Sequence, residues 1–308
     1  MTSNVVKITS TMVDSASVKK RPISVIMVSY MTGPALMEAI HAVLRDDDIS
    51  ELILVDNGNT ESARARLAAF LHSNERIRVL QGHGNIGFAR GCNYGARLAT
   101  GHYFLFLNPD AIINEGAARI MANCGARLNA PWITGGLLRD INGKEQRGAR
   151  RGALTPLSAF LGFTGLSKII KAQSIHRENE PMPKEPISIE TISGACLMMD
   201  RLSFEAIGGF DEAYFLHVED IDICRRVSLA GGDVYFVPQA RVMHYGSTSK
   251  VHRYKVEYEK LKGFVRYFWN YKSGGLHKML TALAVPFMAA AILGRAVALN
   301  LREAIIGR

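Results

Sequence analysis

Tyr103-Phe104-Leu105-Phe106-Leu107-Asn108-Pro109-Asp110 reads as a buried strand that stops at a polar tip. Five consecutive apolar residues suit a strand covered on both faces. Pro109 cannot donate to a ladder, so the strand ends there and Asp110 falls just beyond it. Toward the N-terminus the same grammar repeats. Ile23–Ser29 is a β-branched apolar run, followed by a helix that starts at Gly33-Pro34 and reaches Leu44. Glu51–Val55 is the second strand, Thr60–Leu71 the second helix, Ile77–Leu80 the third strand and Phe88–Ala99 the third helix. Strands alternating with helices imply right-handed crossovers and a mainly parallel sheet. In such sheets ligands sit beyond the carboxyl ends of the strands, where Asp56 and Asp110 both fall.

Beyond Asn114 the pattern loosens. Asp140-Ile141-Asn142-Gly143-Lys144 reads as a hairpin turn. Arg147 to Arg151 holds three arginines among small residues, and 181–186, with three prolines, reads as a loop. Thr191–Met199 is an apolar run, Val218–Ala230 a helix and Val234–Val237 a strand. Polar tips then stand at the ends of several elements: Asp56-Asn57-Gly58, Asn108-Pro109-Asp110, Glu219-Asp220-Ile221-Asp222 and His244. A rim that gathered them would suit a sugar nucleotide held through a divalent metal.

The 308 residues are 48% hydrophobic and 21% charged, an ordinary globular composition for one large domain or two small ones. The formal charge of +9 suits phosphate-bearing substrates, an anionic membrane face or nucleic acid, and does not choose among them. Cys92, Cys124, Cys196 and Cys224 form no CxxC pair, which argues against a disulfide framework or a zinc site and for a reducing cytosol. Residues 1–21 lack a signal-peptide core and read as a disordered tail. From Lys250 to Lys278, eight Lys or Arg interleave with seven aromatic residues. The 16 uncharged residues Met279–Gly294 follow, short of the ~20 that span a bilayer. This 250–308 extension reads as attached at a membrane interface, with a core helix as the alternative.

Gly82-His83-Gly84-Asn85-Ile86-Gly87 matches a dinucleotide fingerprint, and an NAD-dependent sugar-nucleotide oxidoreductase or epimerase is the chief rival reading. The motif stands in the third βα unit instead of the first, and it leaves the Glu219-Asp220 segment without a task. A loop lining a nucleotide diphosphate suits it better. Asp110, just past a strand end, can hold Mg²⁺ or Mn²⁺ through oxygen. Glu219 and Asp220 sit in the first turn of a helix, where the dipole favours negative charge, and either could take the proton of an attacking sugar hydroxyl. Asp222 and Arg226 are spaced for an ion pair. His244 precedes a glycine and two hydroxyls, and a neutral imidazole there could complete a metal shell begun by Asp110.

Together, Val28-Ser29-Tyr30, Val55-Asp56-Asn57-Gly58, Asn85 to Asn93, Asn108-Pro109-Asp110, Gly208-Gly209-Phe210-Asp211-Glu212, Glu219 to Asp222 and His244 resemble glycosyltransferase family 2, over roughly Pro22 to Ser249. The closest likeness is to its bacterial rhamnosyltransferase-like branch. The resemblance implies an α/β GT-A fold over 22–249, transfer with inversion, and a role in cell-surface polysaccharide synthesis. By position it implies that Val28, Tyr30, Asp56 and Asn57 line the nucleoside pocket and that Asn93 supports the sugar-nucleotide site. Asp110 is then the acid kept from a DxD-type metal motif, with Asn108 at the place of the first acid and counted with the donor contacts. Asp220 matches the general base and His244 a metal ligand. The implied donor is a dTDP- or UDP-linked sugar and the acceptor a saccharide or lipid-linked saccharide. The expected location is the cytoplasm, peripheral at an anionic inner membrane face, with no nucleic acid partner. A non-catalytic membrane-surface binding protein of the same fold remains a further alternative.

Overall fold

The computed structural model describes residues 21–71, 74–155, 158, 175–246, 248, 249, 251 and 253–271, with isolated positions between 282 and 297. All of the expected 1–21 tail except Arg21, and most of the 279–294 segment, lie outside the described residues. Among those described, no helix is long and apolar enough to cross a membrane.

The first half follows the strand–helix alternation. Strands β1 (Ile23–Ser29), β2 (Ile49–Asp56), β3 (Ile77–Leu80) and β4 (Tyr103–Leu107) alternate with helices α1 (Ala35–Arg45), α2 (Glu61–Leu71) and α3 (Phe88–Leu98). These four strands pair in parallel in the order β3-β2-β1-β4. Their runs look continuously apolar because each alternate residue serves a different core. Val25, Met27, Leu52, Leu54, Leu105 and Leu107 join one cluster with α1, while Ile26, Val28, Ile53, Val55, Phe104 and Phe106 join the other with α3.

The second half is mixed. It adds β5 (Ala111–Ile113), α4 (Ala117–Gly125), β6 (Trp132–Arg139), β7 (Arg150–Arg151), β8 (Ile187–Ser188), β9 (Thr191–Ile192) and β10 (Cys196–Asp200). Then come α5 (Arg201–Ala206), α6 (Glu219–Leu229), β11 (Asp233–His244) and α7 (Arg253–Tyr271). The main sheet continues β4-β10-β6-β11-β5, with β8 beside β11, while β7 and β9 form a small separate pair. β10 runs antiparallel to both β4 and β6; β6 and β11 are parallel; β5 is antiparallel to β11.

This topology puts the polar tips on one rim. The carboxyl ends of β1, β2, β4, β6 and β11 point the same way, and the antiparallel strands β5 and β10 begin there. Asn57, Asp110, Gly194 and His244 therefore share an edge. α6 leads into the far end of β11, so its first turn, with Glu219 and Asp220, lies on that edge as well.

Two elements run longer than their local sequence suggests. β11 continues past Pro238 because the ladder to β6 breaks between Val237 and Arg241 and then resumes, carrying the strand on to His244. α7 buries one aromatic face, Phe264, Tyr267 and Phe268, against Tyr214, Val218 and Ile221. Most of its cations are also engaged within the chain: Lys260 with Glu257, Lys262 with Glu259 and Arg266 with Asp211. This basic, aromatic stretch is thus in part a cover for α6. Tyr254, Tyr258 and Trp269 are exposed and fall within one helical stripe.

Candidate active site

The first corner of the rim is built where β1, β2 and α3 meet. Gly91 and Gly95 let α3 lie on β1; a Cβ would stand 2.9 Å from Val28 Cγ1 at the first and 2.6 Å from Ile26 Cγ2 at the second. Val28 is therefore a core residue, and the chain turns into the rim at Ser29 and Tyr30. The Tyr30 ring lies over Gly58. Asp56 Oδ1 accepts from the Gly58 and Asn59 amides at 2.9 and 2.8 Å and from Asn59 Nδ2 at 3.0 Å. Its Oδ2 is buried with no partner, as is Asn57 Oδ1. Asn57 Nδ2 donates to Gly87 O at 3.0 Å. Buried acceptors on adjacent residues with no partner in the chain are uncommon, and these two are open to a bound water or ligand.

The glycine loop follows β3, an edge strand. Asn85 Oδ1 accepts from the Gly87 amide at 3.0 Å. Gly87, at φ +85°, has the Phe215 carbonyl 2.7 Å from where a Cβ would stand, so only glycine lets the 210–218 segment close onto α3. Asn93 continues that clamp. It donates to Phe210 O at 2.8 Å and accepts from Phe210 N at 2.9 Å. Its amide is committed to the fold, holding Gly209-Phe210 in place.

At the centre of the rim, β5 pairs antiparallel with the end of β11, matching Ala111 with His244. Residues 134 positions apart meet: His244 Nε2 lies 3.1 Å from Asp110 Oδ1. Gln146, on the return from the 140–144 turn, orients the ring. Its Nε2 donates to His244 O at 3.0 Å, so its Oε1 faces His244 Nδ1 at 2.6 Å and the ring proton sits on Nδ1. Nε2 then faces Asp110, donating to it while the ring is an imidazolium and offering a lone pair only where a cation takes that proton's place. Thr248 donates to the other carboxyl oxygen at 3.0 Å. Asp110 is only 4% exposed. Burial alone would raise its carboxyl, but the hydrogen bond and charge of His244 and the Thr248 hydroxyl outweigh it and hold Asp110 below its ordinary value.

Two lone pairs at 3.1 Å repel unless a proton or a cation lies between them. A small divalent ion bonds at about 2.1 Å, so neighbouring ligands on its octahedron stand about 3.0 Å apart. Asp110 and His244 fit that spacing. Asn108 Nδ2 lies 3.3 Å from the same Nε2. Among the described residues no group of three or more His, Cys, Asp or Glu could hold a metal. A cation here would draw its remaining ligands from water and a substrate diphosphate, as magnesium-like ions commonly do.

Asp220 reaches this rim from α6. Gly194 N donates to its Oδ2 at 3.0 Å, while Asn108 N donates to Ala195 O at 3.0 Å. The two loops are thereby tied together, with Asp220 and the Asn108-Pro109-Asp110 turn on either side of the tie. Arg151 also binds Asp220 Oδ2. Burial raises the Asp220 carboxyl, but the Arg151 charge and the Gly194 amide prevail and lower it. Glu219 differs. Its Oε2 is buried without a partner, and burial together with the Asp220 charge pushes it up to about 8. Asp222 makes the expected pair with Arg226 at 2.8 Å and also accepts from Tyr271 OH at 2.7 Å, so it serves the fold. Two residues were not visible from the sequence: Gln146, and Arg151 on a strand of two residues.

Residues 24–208 match Glycosyl transferase family 2, and residues 176–252 match the family described as the N-terminal domain of galactosyltransferase. The chain is 25% identical over 244 residues to N-acetylglucosaminyl-diphospho-decaprenol L-rhamnosyltransferase of Mycobacterium tuberculosis, covering 73% of this chain and 76% of that one. It is 27% identical over 233 residues to rhamnosyltransferase WbbL of Escherichia coli, covering 72% and 82%. The structure of GalNAc-T7 with UDP, GalNAc and Mn²⁺ superposes with a TM-score of 0.60 at 17% identity. That match takes in 83% of this chain, which spans about half the length of the solved one.

Proposed function

The chain belongs to glycosyl transferase family 2 and has a GT-A fold, and from that premise we propose that it transfers a sugar from a nucleoside diphosphate to an acceptor hydroxyl with inversion. The observation that carries this reading is the approach of His244 Nε2 to Asp110 Oδ1, with Asp220 on the same rim. The unpaired Asp56 Oδ2 and Asn57 Oδ1 beside Tyr30 supply acceptors for the nucleoside, and the Asn85–Gly87 loop lies against Asn57.

A divalent ion bound by Asp110 and His244 would screen the charge that grows on the leaving diphosphate. Asp220, held as an anion, accepts the proton of the acceptor hydroxyl as its oxygen attacks the anomeric carbon. The new C–O bond forms on the face opposite the leaving oxygen, and the bonding pair of the old C–O bond departs with the diphosphate. A single displacement inverts the centre.

The relatives' names suggest the substrates. One is named for L-rhamnose and a diphospho-decaprenol acceptor, the other for rhamnose. We take a dTDP- or UDP-linked rhamnose as the donor class and a lipid-linked saccharide as the acceptor, met at the cytoplasmic membrane face. The exposed stripe of Tyr254, Tyr258 and Trp269 gives α7 amphipathic rings suited to that interface.

The experiment is to incubate the protein with dTDP- and UDP-sugars, Mn²⁺ and a lipid-diphosphate-linked saccharide, following nucleoside diphosphate release and product stereochemistry. Release coupled to an inverted glycoside supports the reading. Donor binding without any release would leave a binding protein, and a retained configuration would remove the single-displacement scheme.

A further inference from the structure

Glu219 and Asp220 stand at consecutive positions in the first turn of α6, close enough that each carboxyl group feels the other's charge. Two such groups cannot both ionise cheaply, so the surroundings must choose one. The bonds are unequal. Asp220 takes the Arg151 guanidinium and the Gly194 amide on Oδ2, and the Ile221 amide at 2.8 Å on Oδ1. Glu219, 6% exposed, leaves Oε2 without any partner.

Arg151 is itself firmly presented. β7 pairs with β9 through Arg150↔Ile192 and Arg151↔Thr191, and strand alternation sends these two arginines to opposite sides. Arg150 turns inward, is 1% exposed, grips Glu145 with two bonds of 2.7 and 2.8 Å and lies over the Phe236 ring. Arg151 turns the other way, where Nη2 also donates to Ile192 O at 3.1 Å. Opposite it, His217 and Val218 occupy left-handed conformations at φ +67° and +72°, and α7 packs on them at Gly263. Neither is glycine, so packing must hold them there, and with them the start of α6.

We propose that Arg151 is a positioning residue that selects which of the two adjacent carboxyl groups stays anionic: Asp220 keeps the charge and Glu219 keeps the proton. This rests on the reading of Asp220 as the base. A base locked as an anion is ready for the acceptor before it arrives, and a neutral Glu219 beside it avoids a second negative charge near a diphosphate. The other ionisable groups bearing on the pair are His217 ahead of the helix, Asp222 and Cys224 within it and Cys92 from α3, with Lys260 and Glu257 of α7 acting on His217. None of them is bonded to the Asp220 carboxyl.

The test is a carboxyl-carbon NMR titration of the full-length protein labelled at Asp and Glu, with Asp220→Asn and Glu219→Gln used to assign the two signals. The wild type should show Asp220 titrating below an ordinary aspartate and Glu219 near 8. In Arg151→Gln the Asp220 inflection should rise by ~1 pH unit or more with no fall in that of Glu219, whose anion Arg151 also favours, and Arg151→Lys should return Asp220 most of the way. The acid limb of the rate of nucleoside diphosphate release should move to higher pH in Arg151→Gln alone. Unchanged inflections in Arg151→Gln overturn the proposal. So does a wild type in which Glu219 ionises first. Full transfer by Asp220→Asn would instead defeat the base assignment, whatever the titration shows.

Discussion

Strand β2 carries two buried carboxyl groups, Glu51 near its amino end and Asp56 at its carboxyl end, and they are treated in opposite ways. Glu51 accepts from Ser24 Oγ and Thr100 N at 2.6 Å each, from Thr100 Oγ1 at 2.8 Å and from Arg78 Nη2 at 2.5 Å. Both its oxygens are bound, joining β1, β2, β3 and the α3–β4 loop. Asp56 satisfies one oxygen within its own turn and leaves the other bare. The same holds more widely: Glu219 Oε2 and Asn57 Oδ1 at the front rim are bare as well. Of the two β2 carboxyl groups, the chain satisfies both oxygens of one and a single oxygen of the other.

Substitutions at the two ends should therefore fail different assays. The largest effect is expected at the front. Asp220→Asn should lower transfer by on the order of 10³-fold while donor affinity stays near wild type. A comparable loss of donor affinity would assign Asp220 to binding instead. Gln146→Ala comes next. Freed from its orienting partner, His244 should bind Mn²⁺ ~10- to 100-fold more weakly by calorimetry, with little change in melting. Unaltered affinity would mean that Gln146 does not set the ring.

At the rear, Glu51→Gln should cost ~2–3 kcal/mol in denaturant unfolding and leave donor affinity alone. Burial opposes the Glu51 charge, but the hydroxyls, the amide and Arg78 lower its carboxyl from 4.5 to about 2. Its stabilising contribution is thus complete above 4.5 and lost as pH falls toward 2, so the difference between wild type and variant should shrink over that window. A pH-independent difference would break the contrast.

Glu219→Gln should have the smallest effect, and of opposite sign. Because burial lifts Glu219 from 4.5 to about 8, folding is penalised increasingly as pH rises between those values. The variant should melt higher than wild type near pH 8 and match it under acid conditions. A uniformly less stable variant would show that Glu219 has a partner in solution.

Legibility in the sequence followed the same geography. The βα half could be read because Ile23–Ser29 and Tyr103–Leu107 bury both faces, which makes long apolar runs between turn signals. The mixed half could not. β6 contains Thr134-Gly135-Gly136, which reads as a break; yet a Cβ at Gly135 would lie 1.9 Å from Ile192 Cγ2, so the glycine is there to admit a neighbour. The antiparallel direction of β10 depends on where the preceding segment enters the sheet, which no local pattern encodes. At the site, Asp110, Asp220 and His244 could be nominated from their places past a strand end, at a helix start and ahead of a loop, and the family resemblance sharpened the role of each. Their meeting depends on β5 and β11 pairing across the rim. Arg151 and Gln146 belong to a two-residue strand and a hairpin return, with no periodicity to mark either.

The most direct test is a crystal of the protein grown with a nucleoside diphosphate and Mn²⁺, with data collected at the manganese edge. The anomalous peak is expected within bonding distance of both Asp110 Oδ1 and His244 Nε2, with the diphosphate on its far side and the nucleoside against Asp56. A nucleotide bound at the rear of the sheet, or manganese coordinated away from that pair, would contradict the account.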